Sequence, residues 1–394
     1  MVSEKMKELG SKRSVIRDLF EYGKLKASEV GEENVYDFSL GNPSVPAPKS
    51  VEETITKLIK ETEPTLLHGY TSAQGDALVR KTLADNLKKR FDAPINENLM
   101  YMTCGAAASL TITLHALAEK DDEFIAFTPF FPEYRVFVEG TGSKLVCVDT
   151  VDGSFQIDGE AFEKAITKNT KGVIVNTPNN PSGVVLNEES ANTIVEILEK
   201  KQKEYSHPIF LITDEPYREL IYSDVKNPCF LNLYNNTVLC YSYSKSLSLP
   251  GERIGYIAVS DKAENKADLY ASVCGAGRVL GYVCAPSLMQ RVVAACDGET
   301  GDLDAYRGNR DILYNALTEM GFECVYPDGA FYLFVKSPIP SAEEFSNKAK
   351  EYNLLIVPAD SFGVKGYVRL SYCVATDMIK RSLPKFEELM KNYK

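Results

Sequence analysis

Histidine, long apolar runs and metal-type cysteine clusters are scarce in this sequence. Its three histidines leave little material for a histidine-based triad or metal centre. No apolar run approaches the roughly 20 residues of a membrane-spanning helix, so we expect no membrane partner. The nine cysteines form no CxxC pair and have no histidine close by, which argues against a metal site. They indicate reduced thiols in a cytoplasmic protein.

The charge balance and the length bound the class of protein. A formal net charge of −11 argues against nucleic acid, whose recognition needs a basic surface. It does not exclude a small anionic ligand, because locally placed arginines decide that. A chain of 394 residues with 44% hydrophobic and 25% charged residues is typical of a globular protein with two domains or one large one.

One stretch, Val238–Tyr256, combines a strand pattern with reactive side chains. Its apolar start runs into Ser242 and Lys245, and Arg253 follows eight residues after the lysine. An unprotonated lysine amine forms a Schiff base with an aldehyde. Serine hydroxyls and an arginine fork hold a phosphate. The stretch therefore fits an aldehyde cofactor that carries a phosphate, and a solvated basic loop is the alternative.

The same stretch resembles the lysine segment of the class I and II aminotransferases, the fold-type-I pyridoxal-phosphate enzymes. The shared pattern is Ser-x-Ser-Lys in residues 242–245, then Gly-x-Arg-x-Gly in residues 251–255. The resemblance implies that Lys245 is the Schiff-base lysine and that Ser242 and Arg253 bind the cofactor phosphate.

Three further motifs supply the residues that would hold the cofactor ring in this family. Asp214, after an apolar strand, would keep the pyridine nitrogen protonated, and Tyr217 would bind the ring hydroxyl oxygen. Asn180 lies in Asn176–Gly183, which resembles the family's Asn-Pro-x-Asn-Pro-Thr-Gly loop, and would bind that oxygen from the other side. We expect the Asn180–Pro181 bond to be cis. Phe131 matches the residue that stacks on the ring, although a core aromatic is the alternative.

The resemblance extends to the phosphate turn and to a partner subunit. Gly105, Ala106 and Ala107 form a turn of small residues before a helix, and their backbone N–H groups would approach the phosphate. Tight helix–strand packing is the other reading of this turn. Tyr70 would reach the phosphate of the partner's cofactor in a homodimer, and an exposed loop tyrosine is the alternative.

Substrate binding is expected at both ends of the chain. Arg369, in Tyr367–Ser371, matches the arginine that grips the substrate α-carboxylate, beside Gly41 and Asn180. Arg278, interpreted as part of a glycine-rich turn, lies near the arginine that binds a side-chain carboxylate across the dimer in aspartate aminotransferases. A surface arginine is the alternative, which leaves aromatic or broad substrates open.

The order of the motifs implies an α/β fold of the fold-type-I class. We expect a large domain over residues 45–285, with a mostly parallel, seven-stranded type of sheet flanked by helices. A smaller α/β domain would combine residues 1–44 and 286–394. Residues 1–26 are predicted to form a helix followed by an arm, and Ser50 with Glu53 predicts a capping box that opens a helix.

The resulting hypothesis is a pyridoxal-phosphate-dependent aminotransferase with ping-pong kinetics. It would move an amino group between an amino acid, with aspartate the first candidate, and a 2-oxo acid such as 2-oxoglutarate. A carbon–sulfur β-lyase or related eliminase on the same fold is the main alternative. A non-catalytic, cofactor-sensing regulator is a second one, against which the negative charge and the short segment before Gly41 argue.

Overall fold

The computed structural model describes residues 2–11 and 14–394. Its N-terminal segment holds α1 (Glu4–Ser11), α2 (Val15–Val30) and the short strand β1 (Tyr36–Asp37). The sequence predicts one helix and an arm for residues 1–26, and the second helix is therefore a correction. Part of that prediction, at Met1, Lys12 and Arg13, lies outside the described residues.

A seven-stranded sheet forms the centre of the molecule, in the order β2-β8-β7-β6-β5-β3-β4. Neighbouring strands are parallel except at β8, which is antiparallel to both β2 and β7. The strands are buried along almost their whole length, as near-continuous apolar runs predict for a sheet covered on both sides, except the edge strand β4, most of whose residues are exposed or half-buried. They are β2 (Met100–Thr103), β3 (Glu123–Thr128), β4 (Lys144–Asp149), β5 (Thr170–Asn176), β6 (Phe210–Asp214), β7 (Thr237–Ser242) and β8 (Gly255–Val259).

Helices cover both faces of this sheet, as the fold class predicts. They are α3 (Lys49–Glu61), α4 (Pro64–His68), α5 (Ala77–Phe91), α6 (Ala106–Leu117), α7 (Glu133–Gly140), α8 (Gly159–Ala165), α9 (Glu188–Tyr205), α10 (Phe230–Leu233), α11 (Tyr243–Ser246), α12 (Lys266–Val279) and α13 (Ser287–Cys296). Helix α13 lies beyond residue 285, yet its Met289 and Val292 share a core with α3 and α5. The division into residues 45–285 and the remainder stays a prediction.

The C-terminal part builds a smaller antiparallel sheet in the order β12-β13-β10-β9. Its elements are α14 (Leu303–Glu319), β9 (Cys324–Val325), β10 (Tyr332–Lys336), α15 (Ala342–Lys350), β11 (Leu354–Leu355), β12 (Val357–Pro358), β13 (Tyr367–Ser371) and α16 (Thr376–Met390). Strand β1 pairs in parallel with β11, so the N-terminal segment joins this part. No helix of the described residues combines the length and the apolar character needed to cross a bilayer.

One local prediction is wrong for an identifiable reason. Helix α3 begins at Lys49, directly after Pro48, so Ser50 lies inside the helix and its hydroxyl donates to Glu299 instead of capping.

The serine-rich stretch after β7 forms the short helical turn α11. There the Ser242 side chain caps α11 by accepting from the Ser244 N–H.

Candidate active site

A cavity of about 300 Å³ opens where the carboxyl ends of β5, β6 and β7 meet the start of α6. Parallel α/β sheets bind ligands at this edge because the loops there diverge. The small sheet closes the other side with Tyr332 and Arg369, and Ile16 of α2 reaches the rim. The predicted residues that line the cavity are Gly41, Ala106, Ala107, Phe131, Asn180, Asp214, Tyr217, Ser242, Lys245, Arg253 and Arg369.

Lys245 projects into the cavity from α11. Its Nζ donates to the backbone oxygen of Gly41 at 2.6 Å. Burial, followed by the positive charges of Arg369 and Arg253, lowers the pKa of Lys245 to about 8, against an opposing effect of Cys373. A buried amine with this pKa is partly unprotonated near neutral pH, and is therefore available as a nucleophile or a base.

Asp214 ends β6 and has one satisfied and one unsatisfied oxygen. The Tyr134 hydroxyl donates to Oδ2 at 2.5 Å, whereas Oδ1 is buried without a hydrogen-bond partner among the described residues. Burial raises the pKa of Asp214 to about 7, and the charge of Glu215 adds to the effect. Buried carboxylate oxygens are almost always paired. The free oxygen therefore indicates a place for a donor that is not part of the protein.

Arg369 lies in β13 with its guanidinium held from several sides. Its Nη1 donates to Asn180 Oδ1 at 3.0 Å and its Nη2 donates to the Ser39 backbone oxygen, while Nε has no partner among the described residues. The guanidinium also lies over the Tyr332 ring, 4.7 Å from the centroid. In the described part of the chain this buried cation is bonded to an amide and a backbone oxygen and not to a carboxylate, and so it is fit to bind an anion.

The opposite end of the cavity combines hydroxyls, a cation and a helix start. Ser242 Oγ lies 2.7 Å from Ser244 Oγ, and the Arg253 guanidinium donates to the Pro250 backbone oxygen at 3.0 Å. A Cβ atom on Gly105, where φ is +90°, would lie 2.9 Å from Arg253 Nη2, so only glycine leaves room for this arginine. Helix α6 begins at the next residue, Ala106. The set matches what a phosphate needs.

Comparison with known proteins decides the family. A family model described as aminotransferase class I and II matches residues 33–385. This chain belongs to that family. Its members depend on pyridoxal phosphate, and the lysine, carboxylate and phosphate-type groups described above are the parts that such a cofactor requires.

Several relatives span nearly the whole of this aminotransferase. A crystal structure of an amino transferase from Eubacterium rectale has 54% identity and a TM-score of 0.98, and covers 100% of this chain and 99% of that one. A probable aspartate aminotransferase of Methanocaldococcus jannaschii is 28% identical over 99% of this chain and 100% of its own. A probable N-acetyl-LL-diaminopimelate aminotransferase of Bacillus subtilis is 30% identical over 90% and 89%. These relatives favour transamination over elimination or regulation.

Three predicted residues of this aminotransferase do not line the cavity of its own chain: Gly105, which packs against Arg253, and Tyr70 and Arg278. Tyr70, after α4, is 98% exposed. Arg278 is exposed in the last turn of α12, so its placement in a glycine-rich turn is wrong. Buried Val273 and Ala276 continue the helical packing against the sheet through this stretch, which overrides the turn signal of the glycines. The Tyr70 and Arg278 side chains need a partner subunit for their predicted roles.

Other residues of the site were missed by sequence reasoning. Tyr134 and Tyr332 contact Asp214 and Tyr217, and Asn176 donates from its side chain to the Asp214 backbone oxygen at 2.8 Å. Asn176 opens the quoted loop, so position alone could have found it. The two tyrosines carry no local signal that separates them from core aromatics.

The Asn180–Pro181 bond is cis, which confirms that prediction, and Thr128–Pro129 and Thr177–Pro178 are cis as well. All three bonds lie in loops that follow β3 and β5. Asn180 lies at the wall of the cavity, where its side-chain oxygen accepts from Arg369.

Proposed function

We propose that the cavity binds pyridoxal phosphate and that this aminotransferase exchanges amino groups between an amino acid and a 2-oxo acid there. The unpaired, buried Asp214 Oδ1 in a cavity shared with Lys245 carries the proposal. A protonated pyridine nitrogen is the donor that this oxygen lacks, and its positive charge would favour the carboxylate form of Asp214.

The proposed cofactor contacts follow from the chemistry of each group. Ser242, Arg253 and the backbone of Gly105, Ala106 and Ala107 would hold the phosphate. Asn180 and Tyr217 would bind the ring hydroxyl oxygen, Phe131 would stack on the ring, and Asp214 would bind its nitrogen. When bound, the cofactor supplies an aldehyde and an electron-withdrawing ring.

Lys245 has two proposed roles in the reaction. Its amine, with a pKa lowered to about 8, would attach the cofactor between turnovers. Once displaced by substrate, the neutral amine would act as a general base and take the proton from the substrate Cα. As a general acid it would then give this proton to the cofactor carbon that carried the aldehyde. Asp214 would hold the ring charge constant in between.

Arg369 is the proposed anchor of the substrate α-carboxylate. Its unpaired Nε and its fixed fork suit a bidentate contact, next to Asn180 and the Gly41 backbone. The lining cations of the described chain are Lys245, Arg253 and Arg369, and each already has a proposed partner. A side-chain carboxylate, as in aspartate, would therefore need a cation from elsewhere, and Arg278 of a second subunit is our candidate.

We also propose a homodimer in a reducing, cytoplasmic setting. Tyr70 and the apolar side chains of Leu66, Leu78 and Val279 are strongly exposed, which suits burial against a second copy. In that dimer Tyr70 would reach the partner's phosphate. The nine free thiols suit a reducing compartment.

A half-reaction screen tests the proposal. Purified protein would be loaded with pyridoxal phosphate and mixed with single amino acids, and the near-ultraviolet and visible absorption would be followed. We expect aspartate or glutamate to convert the cofactor to its amine form and 2-oxoglutarate to reverse the change. Release of pyruvate and ammonia without an amino acceptor, or no spectral change with any amino acid, would contradict it.

A further inference from the structure

Tyr332, the first residue of β10, lies between two residues of the proposed site, Tyr217 and Arg369. It is 2% exposed and lines the cavity. Its hydroxyl lies 2.8 Å from the Tyr217 hydroxyl, and the Arg369 guanidinium lies over its ring. One side chain therefore contacts both the proposed cofactor side and the proposed substrate side of the site.

The position of the Tyr332 hydroxyl is fixed by close packing. A Cβ atom on Gly41 would lie 2.1 Å from this oxygen, so the Gly41 backbone leaves no room for the hydroxyl to move that way. The rings of Tyr217 and Phe331 meet the Tyr332 ring edge to face, with centroids 5.6 Å and 5.1 Å away. The hydroxyl is thereby directed at Tyr217.

The groups around Tyr332 decide which way its proton points. Arg369 offers only donors, and burial raises the pKa of Cys373 to about 12, so that thiol is neutral and its Sγ faces the Leu40 backbone oxygen. In the described part of the chain, the Tyr217 oxygen is the one hydrogen-bond partner of the Tyr332 hydroxyl. Either hydroxyl can donate across this contact. In the proposed function the Tyr217 proton goes to the ring hydroxyl oxygen of the cofactor, so Tyr217 accepts and Tyr332 donates.

We propose that Tyr332 is a positioning residue that acts through Tyr217, by donating to its hydroxyl and so directing the Tyr217 proton into the cavity. The inference rests on the proposed function, in which the Tyr217 proton meets the ring hydroxyl oxygen of the cofactor. A hydroxyl that accepts one hydrogen bond is a better donor of the next. Without Tyr332, the Tyr217 proton is free to turn away from the cavity.

The effect of Tyr332 is measurable as the pH midpoint of the absorption band of the cofactor-loaded protein. A hydrogen bond donated to the ring hydroxyl oxygen stabilises the form of the bound cofactor that has lost its proton, and so it lowers this midpoint. Tyr332→Phe keeps the ring under Arg369 and removes only the hydroxyl. We expect its midpoint to rise by roughly 0.4–1 pH unit, the worth of about one neutral hydrogen bond.

Two companion variants separate positioning from general damage. Tyr372→Phe removes another fully buried hydroxyl, one bonded to the Ala330 backbone oxygen at 3.3 Å and absent from the cavity lining, and should leave the midpoint unchanged. In a Tyr217→Phe background, Tyr332→Phe should add no further shift. The KM for the amino acid should stay within about twofold because the platform for Arg369 remains, while kcat falls.

The outcomes are distinct. An unchanged or lowered midpoint in Tyr332→Phe, or a shift that persists without the Tyr217 hydroxyl, overturns the positioning role while leaving the proposed function intact. A wild-type protein that develops no absorption band with pyridoxal phosphate overturns the proposed function, and this inference with it.

Discussion

Charged and phenolic side chains near the ends of β6 and β7 lie on opposite sides of one sheet. The two sides differ in whether the charged groups have partners of opposite charge. On the cavity side, Asp214 is buried and Lys245 is half-buried, and neither forms an ion pair with another described residue. On the reverse side, Glu219 accepts from Arg90 at 3.0 Å, from Arg218 at 3.1 Å and from the Tyr241 hydroxyl at 2.6 Å. Alternation along β7 contributes to the division, since Ser242 lines the cavity while the preceding residue, Tyr241, points to the other face, where Glu219 reaches it from the loop after β6.

The pKa directions follow this division. The positive charges of Arg218 and Arg90, together with the Tyr241 hydrogen bond, outweigh burial and lower the pKa of Glu219. On the cavity side burial prevails, and raises the pKa of Asp214 while it lowers that of Lys245. Buried charge alone therefore does not mark a ligand site. A ligand site is marked instead by buried polar atoms that have no hydrogen-bond partner and belong to groups whose charged form is destabilised by burial.

The largest expected effect is on catalysis. Lys245→Ala removes both the attachment point and the proposed proton carrier, so transamination should fall by roughly 10⁴-fold or more. Lys380→Ala, which removes an exposed lysine of α16, is the matched control and should retain full activity. Steady-state rates measure both, and appreciable turnover by Lys245→Ala would refute the role of this lysine.

A substitution on the reverse side of the sheet should change the stability of the fold rather than the rate of transamination. Glu219→Gln removes the closest carboxylate from Arg218 and Arg90, whose remaining partners are Glu215 at 3.6 Å and Asp297 at 3.9 Å, and it should destabilise the protein by up to about 3–5 kcal/mol. Urea unfolding of the cofactor-free protein measures this loss. If Glu219→Gln unfolds like the wild type, the reverse-side network does not stabilise the fold.

Asp214→Asn should raise the free energy of unfolding of the cofactor-free protein, whereas Glu219→Gln should lower it. The native pKa of Asp214 is raised to about 7 from 3.8, so its contribution to stability is complete below pH 4 and is lost as the pH rises through 7. Asparagine removes this penalty, and we expect a gain of up to a few kcal/mol at pH 8 that shrinks at pH 5. Destabilisation at pH 8 would contradict the division between the two sides.

Arg369→Lys should weaken substrate binding by a smaller amount. Lysine cannot reproduce the fork that contacts Asn180 and Ser39 while presenting a further donor to the cavity. The loss of about one charge-assisted hydrogen bond, roughly 1.5–3 kcal/mol, should raise KM for the amino acid about 10- to 150-fold. Arg381→Lys on the surface of α16 is the control. Equal KM values in the two variants would place the α-carboxylate elsewhere.

The pH dependence of cofactor uptake should be the mildest test. Only the unprotonated Lys245 amine reacts, and its pKa is about 8, so the uptake rate should rise about tenfold per pH unit up to that value and level off above it. A free lysine analogue, with a pKa near 10.4, should keep rising through pH 9. Stopped-flow absorbance measures both rates. If the uptake rate of the protein keeps rising with pH as that of the free amine does, the pKa of Lys245 is not lowered.

Sequence alone predicts the parts of the site that lie in contiguous stretches. Asp214, Asn180 and Lys245 each end or follow a strand, and the parallel order of those strands brings them together at one edge. The seven-stranded, mostly parallel sheet and the smaller α/β part are implied by the resemblance of the motifs to the class I and II aminotransferases.

The remaining features depend on tertiary contacts that local patterns do not encode. Tyr134 and Tyr332 become site residues because distant segments place them beside Asp214 and Tyr217. Ser50 fails as a cap because Glu299 competes for its hydroxyl, and Arg278 stays helical because its neighbours pack. The roles of Tyr70 and Arg278 remain predictions, since each requires a second subunit.

Reductive trapping tests the central claim most directly. Protein incubated with pyridoxal phosphate would be reduced with borohydride and digested, and the labelled peptide would be identified by mass spectrometry. The account predicts one labelled site per chain, at Lys245 in the segment that contains Ser242 and Ser244. A label on any other lysine, or none at saturating cofactor, would contradict it.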